Sequence, residues 1–375
     1  MPNTQSQDQS LRIPVETLRR FMEEVFTGLG VPPEDARICQ DVLVSSDLRG
    51  IDSHGVGRLI MYYERMHEGI QHAQTDMEIV SDRDATALVD GHHGMGHVIA
   101  YRAMEMAIEK ARRYGLGAVA VRNSTHYGFA GYYPLMATKQ DMMGLTVTNA
   151  RPSVPPTFGV EPLLGTNPIT FAAPSDLPYP FVIDAATSIT QRGKLEHMDR
   201  LGTDAPAGWA INRQGEAATE TRHLLDDLLS REAALLPLGG ATEKYGGHKG
   251  YGYATMVEIL SAALQDGSFM TGLLGFDDQG NRQPYHLGHF FLAIDIEHFI
   301  DPAVARAITG SIMRRLQGAE RMPGYDRIYV AGEKEYETEQ HRLKHGIPAN
   351  DNLLKKLRAM RDHLGLEGYE LFGTG

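Results

Sequence analysis

Within "RGIDSHGVGRLIMYYERM", residues 49–66, Asp52, Ser53, His54 and Arg58 fall close together where one helical pattern stops and another starts. A histidine near a helix N-terminus has its imidazolium form disfavoured by the dipole, so it stays neutral and able to accept a proton near pH 7. Arg58 follows four residues later and Tyr62 four after that, on one helical face. A guanidinium can hold a carboxylate through two parallel hydrogen bonds. The combination suits a proton handler beside a carboxylate clamp. The same residues would also suit an N-cap serine, a surface histidine and a solvated arginine. Ser53 as a hydrolase nucleophile is disfavoured, because no GxSxG elbow occurs and neighbouring side chains on a helix diverge.

Other stretches could serve a ligand. "NSTHYGFAGYYP", residues 123–134, follows a strand-like run and brings His126, Tyr127, Gly128 and Gly131 to a turn suited to close backbone approach. "GGHKGYG", residues 246–252, opens a helix expected to reach Gln265; a glycine-rich helix start with Lys249 beside it suits a phosphate. It is neither a P-loop nor a GxGxxG fingerprint, and "GHHGMG" at 91–96 has the wrong order too. "LLGTNP" at 163–168 and "IDAATS" at 183–188 fit ligand-lining loops and plain turns alike. His92, His93 and His97 lack a carboxylate at a recognised spacing, and HExxH is absent, so no metal is expected.

The elements that must carry these residues change character along the chain. Residues 14–69 carry helical periodicity: Leu18, Phe21, Val25 and Leu29 share one face, a second helix ends at Gly50, and a third runs from about Gly55 to His67 with Asp52 or Ser53 as its N-cap. "HVIAYRAMEMAIEKARRYG" from residue 97 is another packed helix. Then "GAVAVRN", "MGLTVTNA", "NPITFAAP", "PFVIDAAT" and "HFFLAIDIE" are strand-like, with the helix of "GYGYATMVEILSAALQ" among them. "DPAVARAITGSIMRRLQG" opens on an Asp N-cap and a Pro at N1, and a charged helical tail follows. The expected architecture is α+β, with a sheet nested between helical ends that pack together. The expected division is a helical part at 1–85, a sheet domain at 86–300, and a C-terminal helical segment at 301–375 packing back on the first.

A chain of 375 residues can bury a large core. Its net charge of −12 argues against nucleic acid and anionic membranes as partners. One cysteine, Cys39, allows neither an internal disulfide framework nor a thiolate metal site. With no run of eighteen apolar residues and a polar start, "MPNTQSQDQSLRIP", the expected location is cytoplasmic.

Taken together, "DSHGVGR", "STHYGFAG", "LLGTNPI", "DAATS…RGK" and "GGHKGYG" resemble the malate/L-lactate dehydrogenase family of non-Rossmann fold, from about residue 14 to 335 and in family order. That family includes ureidoglycolate and sulfolactate dehydrogenases, diketogulonate reductase and piperideine-2-carboxylate reductases. The resemblance implies a nicotinamide dinucleotide, NAD or NADP, on a mixed and largely antiparallel sheet, a small carboxylic-acid substrate, and a homodimer with active sites near the interface. It implies that His54 and Arg58 line the substrate site, with Ser53 supporting His54 and Tyr62 beside them. His126, Tyr127, Gly128, Phe129 and Ala130 would lie along the cofactor, with His126 competing for the acid–base role. Thr166 and Asp184, Ala185 and Ala186 would contact substrate or cofactor, and His248 with Lys249 the cofactor phosphates. "RMPGYDR", with Arg321, Pro323 and Gly324, resembles a late loop closing over the dinucleotide.

Lys194, counted with the cofactor contacts, stands where some imine-reducing relatives carry an acid; this tilts the implied substrate towards 2-hydroxy and 2-keto acids. Arg151 suits either a second substrate carboxylate or plain surface exposure. The implied reaction is hydride transfer between a small 2-hydroxy acid and its keto acid. The alternatives are reduction of a cyclic imine and ligand binding without turnover.

Overall fold

The structure, a computed structural model, describes residues 11–373. The polar start of the chain, residues 1–10, lies outside the described residues. Short strand β1 (Leu11–Ile13) leads into α1 (Val15–Gly28) and α2 (Pro33–Leu48). The apolar stripe drives the packing of α1, since Leu18, Phe21 and Val25 are fully buried. Glu34 and Asp35 occupy the first turn of α2, where the dipole favours acids.

The third helical segment has a different start from the expected one. A 3₁₀ turn, Val56–Arg58, precedes α3 (Leu59–His67), and neither Asp52 nor Ser53 caps it. The buried carboxylate of Asp47, at the end of α2, accepts from the Val56 N–H at 2.7 Å instead. A cap supplied from another helix is invisible to local pattern.

β2 (Glu78–Asp82) and β3 (Thr86–Asp90) begin the sheet, α4 (Gly96–Tyr114) crosses to β4 (Leu116–Ser124), and α5 (Tyr132–Thr138) leads into β5 (Met142–Thr148), β6 (Ile169–Ala173) and β7 (Phe181–Ala185). A small unit follows: α6 (Arg192–Leu201), β8 (Ala210–Asn212), α7 (Thr221–Ser230) and β9 (Ala233–Leu235), packed with α8 (Gly247–Leu260) around Leu195, Leu224 and Leu235. β10 (Leu287–Asp295) then returns to the sheet centre, giving the order β2-β3-β4-β10-β5-β6-β7.

Only the β3–β4 pair is parallel, because α4 provides the crossover a parallel pair needs. The sheet is therefore the mixed, largely antiparallel one expected. Ala100, Ala103, Ala107 and Ala111 form the buried stripe of α4 and let it come close to β4. A Cβ at Gly117 would stand 2.0 Å from the Ala107 carbonyl oxygen, so glycine is required there.

Near the C-terminus, α9 (Pro302–Gln317) is capped by Asp301. Its Arg314 pairs with Asp176 at 2.8 Å, so α9 lies by the sheet. α10 (Glu333–His345), β11 (Ile347–Ala349) and α11 (Asp351–Leu364) complete the order. β11 pairs antiparallel with β1, and Phe21 packs edge-on against Tyr369 and Phe372, each with centroids 4.9 Å away. Among the described residues no helix is long and apolar enough to cross a membrane.

Candidate active site

The loop from Ile51 to Arg58 is held from beneath. Besides the Asp47 cap, Arg342 of α10 donates to the Asp47 carbonyl and to the Asp52 carboxylate. A Cβ at Gly55 would stand 1.8 Å from Asp47 Oδ1, so only glycine lets the carboxylate in. In this loop Ser53 Oγ lies 2.9 Å from His54 Nδ1 and accepts from Gln191 Nε2 at 3.2 Å. Arg58 Nε donates to the Ser53 carbonyl at 2.6 Å, which anchors the guanidinium.

The second histidine comes from the turn after β4. The Tyr62 hydroxyl lies 2.6 Å from His126 Nδ1, and the Gly128 N–H donates to the same nitrogen at 3.3 Å. Since a backbone N–H can only donate, His126 Nδ1 is an acceptor, and the proton of the neutral ring sits on Nε2. Both rings resist protonation. Burial, then Arg58, pulls His54 down to about 4. Burial, then His54, holds His126 well below its ordinary value.

Both rings line a cavity of about 520 Å³. Its walls also carry Tyr127, Gly128, Phe129, Ala130, Thr166, Asp184, Ala185, Ala186 and Lys194, all expected from the sequence. Asp184 ties two walls together, accepting from the Gly131 N–H at 2.7 Å and the Thr170 hydroxyl at 3.1 Å. Ser53 and Arg58 line an adjoining cavity of about 960 Å³. The two cavities share Ile51, Gln191 and Lys194.

Other expected residues lie elsewhere. Tyr62, expected beside the substrate, is fully buried beneath His126 and lines neither cavity. His248 and Lys249, expected at the cofactor phosphates, stand exposed outside both. Two glycines of that motif are taken up by backbone packing: a Cβ at Gly247 would meet the Gly240 carbonyl oxygen at 2.0 Å, and one at Gly250 the Leu238 carbonyl oxygen at 2.2 Å. Arg321, Pro323 and Gly324 are exposed and line neither cavity. Arg151 donates to the Leu229 carbonyl at 3.2 Å, away from both.

Sequence reasoning passed over Arg49, Asn149, Gln191 and Glu335, which line the cavity. Gln191 sat inside the quoted "DAATS…RGK" span, whereas Glu335, from α10, carried no local signal. Among the described residues no three His, Cys, Asp or Glu side chains gather to hold a metal.

With this geometry in view, a family profile described as malate/L-lactate dehydrogenase matches residues 13–358. A malate dehydrogenase of Pyrococcus horikoshii is 42% identical, over 96% of this chain and 97% of that protein. An L-sulfolactate dehydrogenase of Methanothermobacter thermautotrophicus is 34% identical, over 95% of this chain and 98% of that protein. The crystal structure of a malate dehydrogenase from Entamoeba histolytica has a TM-score of 0.93 at 39% identity, covering 96% of this chain and 99% of that one.

Proposed function

The chain belongs to the malate/L-lactate dehydrogenase family and is a nicotinamide-dependent 2-hydroxy-acid/2-keto-acid oxidoreductase, and we propose that His54 is its proton-transfer group and Arg58 its carboxylate clamp. The observation that carries this is the different commitment of the two Nδ1 atoms. His126 Nδ1 already accepts from Gly128, which leaves only its Nε2–H to face a ligand. Ser53 Oγ can accept from His54 Nδ1–H as well as from Gln191, since a hydroxyl oxygen has two lone pairs. In that tautomer His54 Nε2 presents a free lone pair to the cavity.

The cavity of about 520 Å³ lies within the usual range for a ligand site. Small wall residues, Gly128, Ala130, Ala150, Ala185 and Ala186, let a flat ring approach the backbone, so the residues present fit a nicotinamide dinucleotide. Held along Gly128, Ala130, Ala185 and Ala186, a bound dinucleotide would supply the hydride acceptor or donor for the substrate's C2. His54 Nε2 takes the hydroxyl proton as the carbonyl forms. Arg58, tethered through Nε, offers both Nη groups to the substrate carboxylate and orients C2. His126 would be left with Nε2–H as its donor towards a ligand, and burial disfavours the charged form of both imidazoles.

The cyclic-imine alternative is not favoured, since Lys194 lines both cavities where that reading wants an acid. Ligand binding without turnover is disfavoured too, because the chain's relatives bear dehydrogenase names. A homodimer is supported by apolar faces left open on α8 (Tyr253, Met256, Ile259) and α9 (Val304, Ile308, Ile312, Leu316). The net charge of −12 supports an enzyme without a nucleic-acid partner.

A screen of oxaloacetate, pyruvate, sulfopyruvate and piperideine-2-carboxylate with NADH and with NADPH, followed by loss of reduced-cofactor absorbance, tests the reading and resolves cofactor preference. Turnover of a keto acid is expected. Turnover of the imine alone would overturn it.

A further inference from the structure

Glu258 of α8 is 4% exposed and takes no part in the chemistry above. Its two oxygens are engaged by separate segments: Oε2 accepts from Asn167 Nδ2 at 2.8 Å, and Oε1 from the Met270 N–H at 2.8 Å. Both donors belong to residues with left-handed backbone, Asn167 at φ 36° and Met270 at φ 47°. Asparagine tolerates that region; methionine rarely enters it. The Asn167 amide also donates to the Ala254 carbonyl at 3.0 Å, so its orientation is set by two acceptors.

On either side of Asn167, Thr166 and Pro168 line the 520 Å³ cavity. The Thr187 hydroxyl donates to the carbonyls of Thr166 and Asn167 at 3.1 and 3.0 Å, and the Thr187 carbonyl accepts from the N–H of Leu238, another wall residue.

We infer that Glu258 is a positioning residue for the cofactor cavity: by bonding Asn167 and Met270 together it holds the left-handed turn that sets the Thr166–Pro168 wall. This rests on the cavity being the dinucleotide site, as proposed above. Glutamine at 258 would keep one acceptor oxygen but turn an amide N–H towards a second N–H, leaving a buried donor unpaired.

The test uses the full-length enzyme, titrated with NADH and NADPH by cofactor fluorescence and assayed at steady state. Glu258→Gln should raise the dinucleotide Kd and KM roughly ten-fold, the size of one lost buried hydrogen bond, with kcat changed by no more than about three-fold. Should Glu258→Gln fail to fold, Thr187→Val removes the hydroxyl bonds with little change of volume and should weaken dinucleotide binding several-fold. Wild-type affinity in folded Glu258→Gln, or, where that variant does not fold, wild-type affinity in Thr187→Val, would overturn the inference. A wild-type protein that binds neither dinucleotide would instead overturn the cavity reading, and this inference with it.

Discussion

The rings of His54 and His126 lie almost parallel, with centroids 5.7 Å apart and planes 14° from one another, yet their Nδ1 atoms are engaged differently. His126 Nδ1 is filled by donors from Tyr62 and Gly128, while His54 Nδ1 meets a serine hydroxyl that can accept its proton. On the roles proposed for them, two residues of one type, side by side, carry separate tasks.

Replacing each histidine separates those tasks. His54→Asn should lower kcat by roughly two to four orders of magnitude, the size of a lost general base. In the oxidation direction the base must be neutral. With His54 drawn down to about 4 in the free enzyme, kcat/KM should hold across neutral pH and fall as pH drops through about 4. Hydroxy-acid oxidation measured against pH should show that limb in the wild type and not in His54→Asn. His126→Asn should raise the dinucleotide KM and keep the limb. A limb that persists without His54 and disappears with His126 would reassign the proton chemistry.

Arg58→Lys keeps the charge but loses the fork and the Nε bond to the Ser53 carbonyl. The acid's KM should rise roughly ten- to hundred-fold, as expected for loss of a bidentate clamp. The pH profile should be unchanged. Steady-state kinetics at several pH values check both, and an unmoved KM would remove Arg58 from the substrate.

Gly55→Ala forces a methyl to within 1.8 Å of Asp47 Oδ1. Overpacking of this kind costs about 1–3 kcal/mol, so thermal unfolding should move clearly downward and activity should fall as the His54 loop shifts. Asp47→Ala, which removes the clashing carboxylate, should be destabilising alone but less than additive with Gly55→Ala. Fully additive losses in the double-mutant cycle would show that the two residues do not press on one another.

Sedimentation at micromolar concentration should give a dimer. Paired substitutions Met256→Glu with Ile259→Glu, or Ile308→Glu with Ile312→Glu, each charge one open apolar face. The pair that yields monomers identifies the interface. A fully active wild-type monomer would overturn the dimer reading.

Where structure depends on neighbours a few residues apart, the sequence alone sufficed. The stripe of Leu18, Phe21 and Val25 marked the buried face of α1, and Asp301 with Pro302 marked the start of α9. Two placements within single loops match what the family motifs imply: Ser53 Oγ lies beside His54 Nδ1, although side chains adjacent on a helix are expected to diverge, and His126 to Ala130 line one cavity. Tertiary structure alone decided what depends on distant partners. It put β10 between β4 and β5, turned Tyr62 inward beneath His126 from 64 residues away, and brought Asp47 to cap the turn before α3. It also used Gly247 and Gly250 of "GGHKGYG" for backbone packing and left His248 and Lys249 outside the cavity. Periodicity and local caps report energies set within a turn or two, whereas these choices follow from which surfaces meet when the whole core closes.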